Sequence, residues 1–265
     1  MIAFPVSPAP SIFVSHGPPT MVVDDLPACE FLRQLGRTLE RPAAVLCVSA
    51  HWDTSTPRLG SAARPETIHD FYGFPAELYR LGYAAPGAPE VAARALALLR
   101  DAGIDGGLDP ARGLDHGAWE PLMLMYPDAD VPVVPLSIQS RAGAPAHLAL
   151  GQALAPLRRD GVLLLASGTA VHNLAQFRQD SHRVADWARR FDDWLADRLH
   201  AGAVDDLVDY RTRAPDAAMA HPSEDHFLPL LVALGAGGAG ARGRALHRGF
   251  AYGSLSMAAY AFEAG

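Results

Sequence analysis

Apolar and polar positions along the chain fall into two recurring patterns. Four short segments are apolar almost throughout and do not alternate: Ser11–Ser15, Ala44–Ala50, Val131–Ile138 and Val162–Ser167. Strands have this appearance when helices cover both faces of a parallel or mixed sheet. Between and after them, apolar residues recur every three or four positions, as on a helix with one buried face, over about Leu26–Glu40, Pro89–Ala102, Ala144–Arg159 and Val184–Ala201. The last of these sets Trp187, Phe191, Trp194, Leu195 and Arg198 at helical spacing, with Asp and Arg on the other side. A further helix is predicted to begin near Phe227. Alternation of strand and helix signals predicts an α/β fold. The expected architecture is a single catalytic domain, 1–265, with a central mostly parallel or mixed sheet covered by helices on both faces. No internal repeat is present, and the Gly/Ala stretch Gly235–Gly243 reads as a loop after a helix.

Composition narrows the chemistry. Hydrophobic residues make up 49% and charged residues 19% of the 265 positions, a balance that suits a soluble globular protein with a sizeable core. All 22 basic residues are arginine; there is no lysine. Schiff-base chemistry on a lysine amine is therefore excluded, as is a phosphate loop built on Gly-Lys-Ser/Thr. The net charge is −7 and no arginine stripe is present, so nucleic acid is not an expected partner. Cys29 and Cys47 are too few for a disulfide framework and too isolated for a thiolate metal site. They read as small buried hydrophobes in a reducing compartment. The N-terminal stretch has three prolines and no basic segment, which does not fit a signal peptide, and no apolar run reaches the length of a bilayer span. A cytoplasmic protein without membrane contact is expected.

Eleven histidines change the picture, because several stand where α/β sheets place ligand sites, at the carboxyl ends of strands. His16 follows the first apolar run, His51 the second, and His172 lies five residues beyond Ser167. His221 and His226 bracket Pro222-Ser223-Glu224-Asp225 ahead of the last predicted helix, and His116 sits in Gly113-Leu114-Asp115-His116-Gly117 before another helix. Neutral imidazoles from several strand ends can converge on one Fe(II) or Zn(II) ion. A lone strand-end histidine is usually a structural, hydrogen-bonded residue; it is the grouping that points to a site. His69, His147, His182, His200 and His247 lie in helical or loop contexts and are read as solvated or structural, with His69 held open. Glu224 and Asp225 have two readings: one supplies the carboxylate of a two-histidine facial triad, or they cap the following helix.

These residues resemble the extradiol ring-opening dioxygenases of the DOPA 4,5-dioxygenase type, within the superfamily of the protocatechuate 4,5-dioxygenase catalytic subunit (class III extradiol enzymes). The matching blocks run in order: Ser15-His16-Gly17-Pro18-Pro19, Ser49-Ala50-His51-Trp52, Tyr72-Gly73-Phe74-Pro75 and Gly113 through Trp119. Pro135 through Gln139, Ser167 through Leu174 and His221 through Leu230 complete the series. The resemblance implies a mononuclear nonheme metal, Fe(II) for activity with Zn(II) able to occupy the site. It puts His16, His51 and His226 on the metal, with His172 as a fourth ligand or the acid/base. The wider superfamily uses a carboxylate as third ligand, where this chain offers His226 with Glu224 nearby. His116 is implied as a residue facing the substrate's oxygens. The implied reaction opens a catechol with O2 to a muconic semialdehyde, with His172 first and His116 second as proton carrier.

Tyr72, Phe74 and Trp52 are candidates for the pocket wall or for ordinary core. Arg58, Arg64, Arg80 and Arg141 are candidates to meet a substrate carboxylate. A zinc hydrolase on the same histidines is the alternative reading, and a metal-free binding protein ranks behind both. Self-association is compatible with the sequence.

Overall fold

The four predicted strands lie side by side in the middle of one sheet. The computed structural model of the chain describes residues 8–178, 181 and 183–263, so His182 and the N-terminal segment 1–7 lie outside the described residues. In chain order the strands are β1 (Ser11–Ser15), β2 (Ala44–Asp53), β3 (Arg58–Gly60), β4 (Gly107–Asp109), β5 (Val133–Ile138), β6 (Val162–Gly168), β7 (Arg242–His247), β8 (Phe250–Ala251), β9 (Leu255–Ser256) and β10 (Ala259–Glu263). The helices are α1 (Pro27–Thr38), α2 (Pro89–Asp101), α3 (His116–Met125), α4 (Gly143–Leu154), α5 (Asp186–Ala201), α6 (Val204–Val208), α7 (Tyr210–Arg213), α8 (Ala217–Ala220) and α9 (Leu228–Ala236). The main sheet has the order β4-β3-β5-β2-β6-β1-β10-β7. Its centre, β5-β2-β6-β1, is parallel. β10 and β7 add an antiparallel edge, and β3 pairs antiparallel with β5. The fold is the predicted single-domain α/β architecture, and the sheet is mixed.

The continuous apolar runs have the cause the sequence suggested. Successive side chains on a strand point to opposite faces, and here both faces are dry. Val45 and Cys47 of β2 pack with Leu32 of α1 and Trp119 of α3 on one side. Leu46 and Val48 pack with Leu154 of α4 and Leu231 of α9 on the other.

The structure adjusts several expected boundaries. The helix expected over Ala144–Arg159 stops at Leu154 and continues as a 3-10 segment, Ala155–Asp160. Pro156 lacks the N–H that an α-helix would need there. α1 and α2 open on Pro27 and Pro89, where a fixed φ and a missing donor cost nothing. The antiparallel edge was not predicted. β7 exposes Arg242 and Arg244 to either side of buried Gly243, so it carries no apolar run.

Register is what positions the site. Ser15 of β1 pairs with Gly168 of β6, and Ser49 of β2 pairs with Ser167. The carboxyl ends of β1 and β6 therefore finish level, and β2 runs past them to Asp53, carrying His51 beyond Ser49. Among the described residues, no helix is long and apolar enough to cross a membrane.

Candidate active site

His16 is the first residue beyond β1, and its backbone N–H donates to the Gly168 carbonyl of β6 at 3.0 Å. His51 sits near the end of β2, two strands away. Their Nε2 atoms stand 3.1 Å apart. His226 arrives from the loop before α9, and its Nε2 lies 3.2 Å from that of His51. The loop can come this close because β6 ends in glycine. A Cβ at Gly168 would collide with the His226 carbonyl, which instead accepts the Thr169 N–H at 3.0 Å.

Each of the three rings is held by an oxygen at its far nitrogen. His16 Nδ1 is 3.0 Å from Ser167 Oγ, and His226 Nδ1 is 2.6 Å from Asp225 Oδ2. His51 Nδ1 is 3.3 Å from Asp70 Oδ2. Burial pushes the pKa of His16 well below the usual imidazole value, and neighbouring His51 and His226 push it further. Burial does the same to His51, with His116 and His226 adding to it while Asp70 opposes. For Asp225, burial works upward but is outweighed by the hydrogen bond to His226, which leaves the carboxyl below its ordinary range. His16 and His51 are therefore held as neutral imidazoles, and the Asp225 carboxylate beside His226 stays ionised.

His116 comes from the first turn of α3. Asp115 caps that helix, accepting the Ala118 N–H at 3.2 Å. It also receives Ser49 Oγ and Arg112, at 2.5 Å each, which binds the cap to β2. Gly117 lets α3 approach that strand: a Cβ there would stand 2.7 Å from Ser49 Oγ and 2.9 Å from His51 Cδ2. The His116 ring lies over His51 with centroids 3.9 Å apart. Its backbone N–H donates to Asp70 Oδ1 at 2.9 Å, and its Nδ1 is 2.9 Å from the same oxygen, too poorly angled for a second hydrogen bond. Asp70 thus faces two histidines. Burial would raise its pKa, yet the contacts with His116 and His51 bring it down to about 2. His16, His51 and His116 also present ligand atoms within 4.8 Å of one another. Two overlapping triples, sharing His16 and His51, could therefore hold a metal ion. In the triple with His226, the His51 Nε2 is the shared neighbour, 3.1 Å from that of His16 and 3.2 Å from that of His226.

His172 stacks on His226, with centroids 3.6 Å apart and planes 5° from parallel. Burial, reinforced by His226, takes its pKa down to about 2. All five histidines line one cavity of about 520 Å³. Phe71, Tyr72, Phe74, Leu174 and Phe177 supply its apolar wall. A second cavity, about 660 Å³, lies against Pro156, Arg158 and Ala236 and contains no histidine.

Of the expected site residues, the structure gathers His16, His51, His116, His172, His226, Tyr72 and Phe74. Trp52 does not line the cavity: it is buried beneath the Arg112 guanidinium, 4.8 Å from its ring centroid. None of Arg58, Arg64, Arg80 and Arg141 lines it either. His221 is core, its Nε2 2.9 Å from the Ala170 carbonyl. The Glu224 carboxylate lies 3.8 Å from Arg211, so neither reading of it as a metal ligand nor as a side-chain cap matches its contacts; Asp225 holds His226. His69 is tied to the Leu81 carbonyl at 2.9 Å. Asp70, Ser167 and Phe71 were missed as site residues. Ser167 and Asp70 stand in or beside motifs already singled out, but a polar residue at a strand end or in a loop has no periodic signature.

Comparison with known proteins agrees with this geometry. The family model described as the catalytic LigB subunit of aromatic ring-opening dioxygenase matches residues 10–263. A 4,5-DOPA dioxygenase extradiol of Beta vulgaris is 44% identical over 256 residues, 95% of this chain and 96% of the relative. One from Portulaca grandiflora is 41% identical, covering 95% of each. The crystal structure of an uncharacterized protein from Escherichia coli K12 superposes with a TM-score of 0.80 at 36% identity, over 97% of this chain and 100% of that one. The zinc-hydrolase and metal-free binding readings are set aside accordingly. The chain belongs to the LigB family of catalytic subunits and is an extradiol aromatic ring-opening dioxygenase.

Proposed function

We propose that this enzyme opens the ring of a DOPA-like catechol with O2 to a muconic semialdehyde, using a metal held by His16, His51 and His226. The observation that carries the reading is the His51 Nε2 standing within 3.2 Å of both the His16 and the His226 Nε2, while the Nδ1 of each of the three rings faces an oxygen. Three imidazoles so oriented turn lone pairs toward one another, an arrangement that a shared cation stabilises. Spacings of 3.1 and 3.2 Å also suit nitrogens about 2.0–2.1 Å from one ion at right angles. The donor set accepts Fe(II) and Zn(II) alike; only iron serves O2 chemistry. Fe(II), when bound, supplies the charge that favours catechol ionisation and the electrons exchanged with O2.

The chain's own groups do the rest. Buried Phe71 and half-buried Phe74 form a wall for the aromatic ring, with exposed Tyr72 at its rim. His172 lines the cavity and stacks on His226, placed to accept the second hydroxyl proton of the catechol and return it as the ring opens. His116 stands second in that role, its backbone N–H held by Asp70 Oδ1 and its Nδ1 2.9 Å from the same oxygen. The curated relatives, named for action on DOPA, support a DOPA-like substrate. Two buried cysteines that form no disulfide among the described residues suit a reducing setting.

The test is anaerobic reconstitution with Fe(II), followed by a catechol panel that includes DOPA and then O2. Stoichiometric O2 uptake with a yellow product absorbing in the visible is expected. No uptake across the panel rejects the proposal. His51→Ala should lose metal and activity together; stoichiometric metal in that variant, by elemental analysis, rejects the ligand set.

A further inference from the structure

The cavity that holds the histidines has one other ionisable acid or base of consequence in its wall. Among the described residues lining it, no arginine is present and Asp24 is the sole carboxylate. Asp24 is half-buried and lies on the short turn that follows His16, where its N–H donates to the Thr20 carbonyl at 2.9 Å. Its carboxylate is held asymmetrically. Thr20 Oγ1 donates to Oδ2 at 2.6 Å, and the Tyr252 hydroxyl donates to the same Oδ2. Oδ1 accepts no hydrogen bond from the described residues.

Tyr252 is itself built into place. It sits in the turn between β8 and β9 with φ at 53°, a left-handed conformation that a bulky residue adopts at a cost. Its ring stacks on Phe177, centroids 4.7 Å apart and planes 28° from parallel, and its carbonyl accepts the Arg178 N–H at 3.0 Å. Two hydroxyls on one oxygen fix the direction of a carboxylate while leaving the other oxygen to a ligand.

We infer that Asp24 receives the ammonium group of a substrate side chain, so that the enzyme selects catechols bearing a cationic amine over those whose side-chain charge is a carboxylate. The inference rests on the catechol reading above and sharpens its substrate class. An ammonium can spend its donors on Oδ1 and is attracted by the carboxylate; a carboxylate in the same position meets like charge and no guanidinium. An amino acid with both groups is held by its ammonium, its own carboxylate turned to water at the mouth. A decarboxylated catecholamine is therefore a substrate in its own right.

Tyramine, 4-ethylphenol and 3-(4-hydroxyphenyl)propionate share a phenol ring, lack the second hydroxyl, and differ in side-chain charge. Calorimetric titration of each into the wild-type protein needs neither iron nor turnover. Tyramine should bind about 10-fold or more tightly than 4-ethylphenol, with the carboxylate weakest. In Asp24→Asn the advantage of tyramine should fall to about 1-fold. Equal binding of tyramine and 4-ethylphenol by the wild type overturns the inference even if the variant does not fold, as does an advantage that survives in a folded Asp24→Asn. With Fe(II) and O2, dopamine should be turned over with a higher kcat/KM than 3-(3,4-dihydroxyphenyl)propionate, and the reverse order overturns the inference. Tyramine selectivity without O2 uptake on any catechol would instead leave the ammonium site standing and reject ring opening.

Discussion

His16 Nδ1 and Ser167 Oγ lie 3.0 Å apart although 151 residues separate them in the chain. A third group decides which of them donates. The Ser167 hydroxyl gives its proton to the Gly117 carbonyl, so its lone pair accepts from His16 Nδ1–H. That tautomer leaves Nε2 of His16 with its lone pair toward His51 and His226, and it connects β1, β6 and α3 at the site.

Removal of that acceptor should loosen the metal without emptying the site. In Ser167→Ala the Nδ1–H of His16 is buried without a partner, and loss of such an outer hydrogen bond costs about 10–100-fold in metal affinity. Competition against a chelator measures it. Wild-type affinity in a correctly folded Ser167→Ala would show that the bond does not orient His16.

His172→Gln separates proton carrier from ligand. Metal content should remain stoichiometric while kcat drops by about 10²–10⁴-fold, the usual worth of a positioned acid/base. Elemental analysis and steady-state O2 uptake read the two quantities independently. If the metal leaves with the imidazole, His172 is a ligand and His116 inherits the proton.

Gly117→Ala should destabilise the protein and disturb His51. The new methyl would stand within 2.9 Å of His51 Cδ2 and 2.7 Å of Ser49 Oγ, a clash with groups fixed by the strand and by Asp115. Overpacking of this kind costs about 1–3 kcal/mol. Thermal denaturation of the metal-free protein should show the drop, and an unchanged Tm would mean that α3 can move away freely.

Glu120 makes stability depend on pH in a direction that can be worked out. It is fully buried in α3, neither carboxylate oxygen has a partner, and burial raises its pKa well above the usual value. With the folded pKa above the unfolded one, the folded state binds more protons between the two values. Stability from this group is thus complete below about pH 4.3 and is lost as pH rises from there toward the folded pKa, by up to about 1.4 kcal/mol per pH unit. Glu120→Met, of similar volume, should match or fall below wild type near pH 4 and exceed it increasingly toward pH 7. Denaturant unfolding of both proteins across that range checks the divergence; parallel curves would mean that Glu120 is ionised in a solvated pocket.

Much of the architecture was legible because burial on both faces writes itself into consecutive residues. Val45, Leu46, Cys47 and Val48 are all apolar because alternate members enter opposite cores, and so the run announces a central strand. The edge strand β7 and the three-residue β3 and β4 had no such signature, since β7 buries only Gly243 fully and the other two are too short to show a pattern. The histidines were legible for a related reason: the end of an apolar run is visible in sequence, and His16 and His51 follow theirs directly.

What sequence alone determined is the set of chemical groups available: imidazoles at strand ends, no lysine, two isolated cysteines, and ordered blocks resembling one enzyme family. Which groups meet was decided only in the folded state. The register of β1, β6 and β2 brings His16 beside His51, and a glycine at the end of β6 admits His226. The same packing buries Trp52 under Arg112, leaves Glu224 on Arg211, and recruits Asp70 and Ser167, whose positions in the chain carry no pattern. Periodicity records which face of an element is buried. It carries no record of the distances between elements, and the site's hydrogen bonds, proton positions and substrate charge preference depend on those distances.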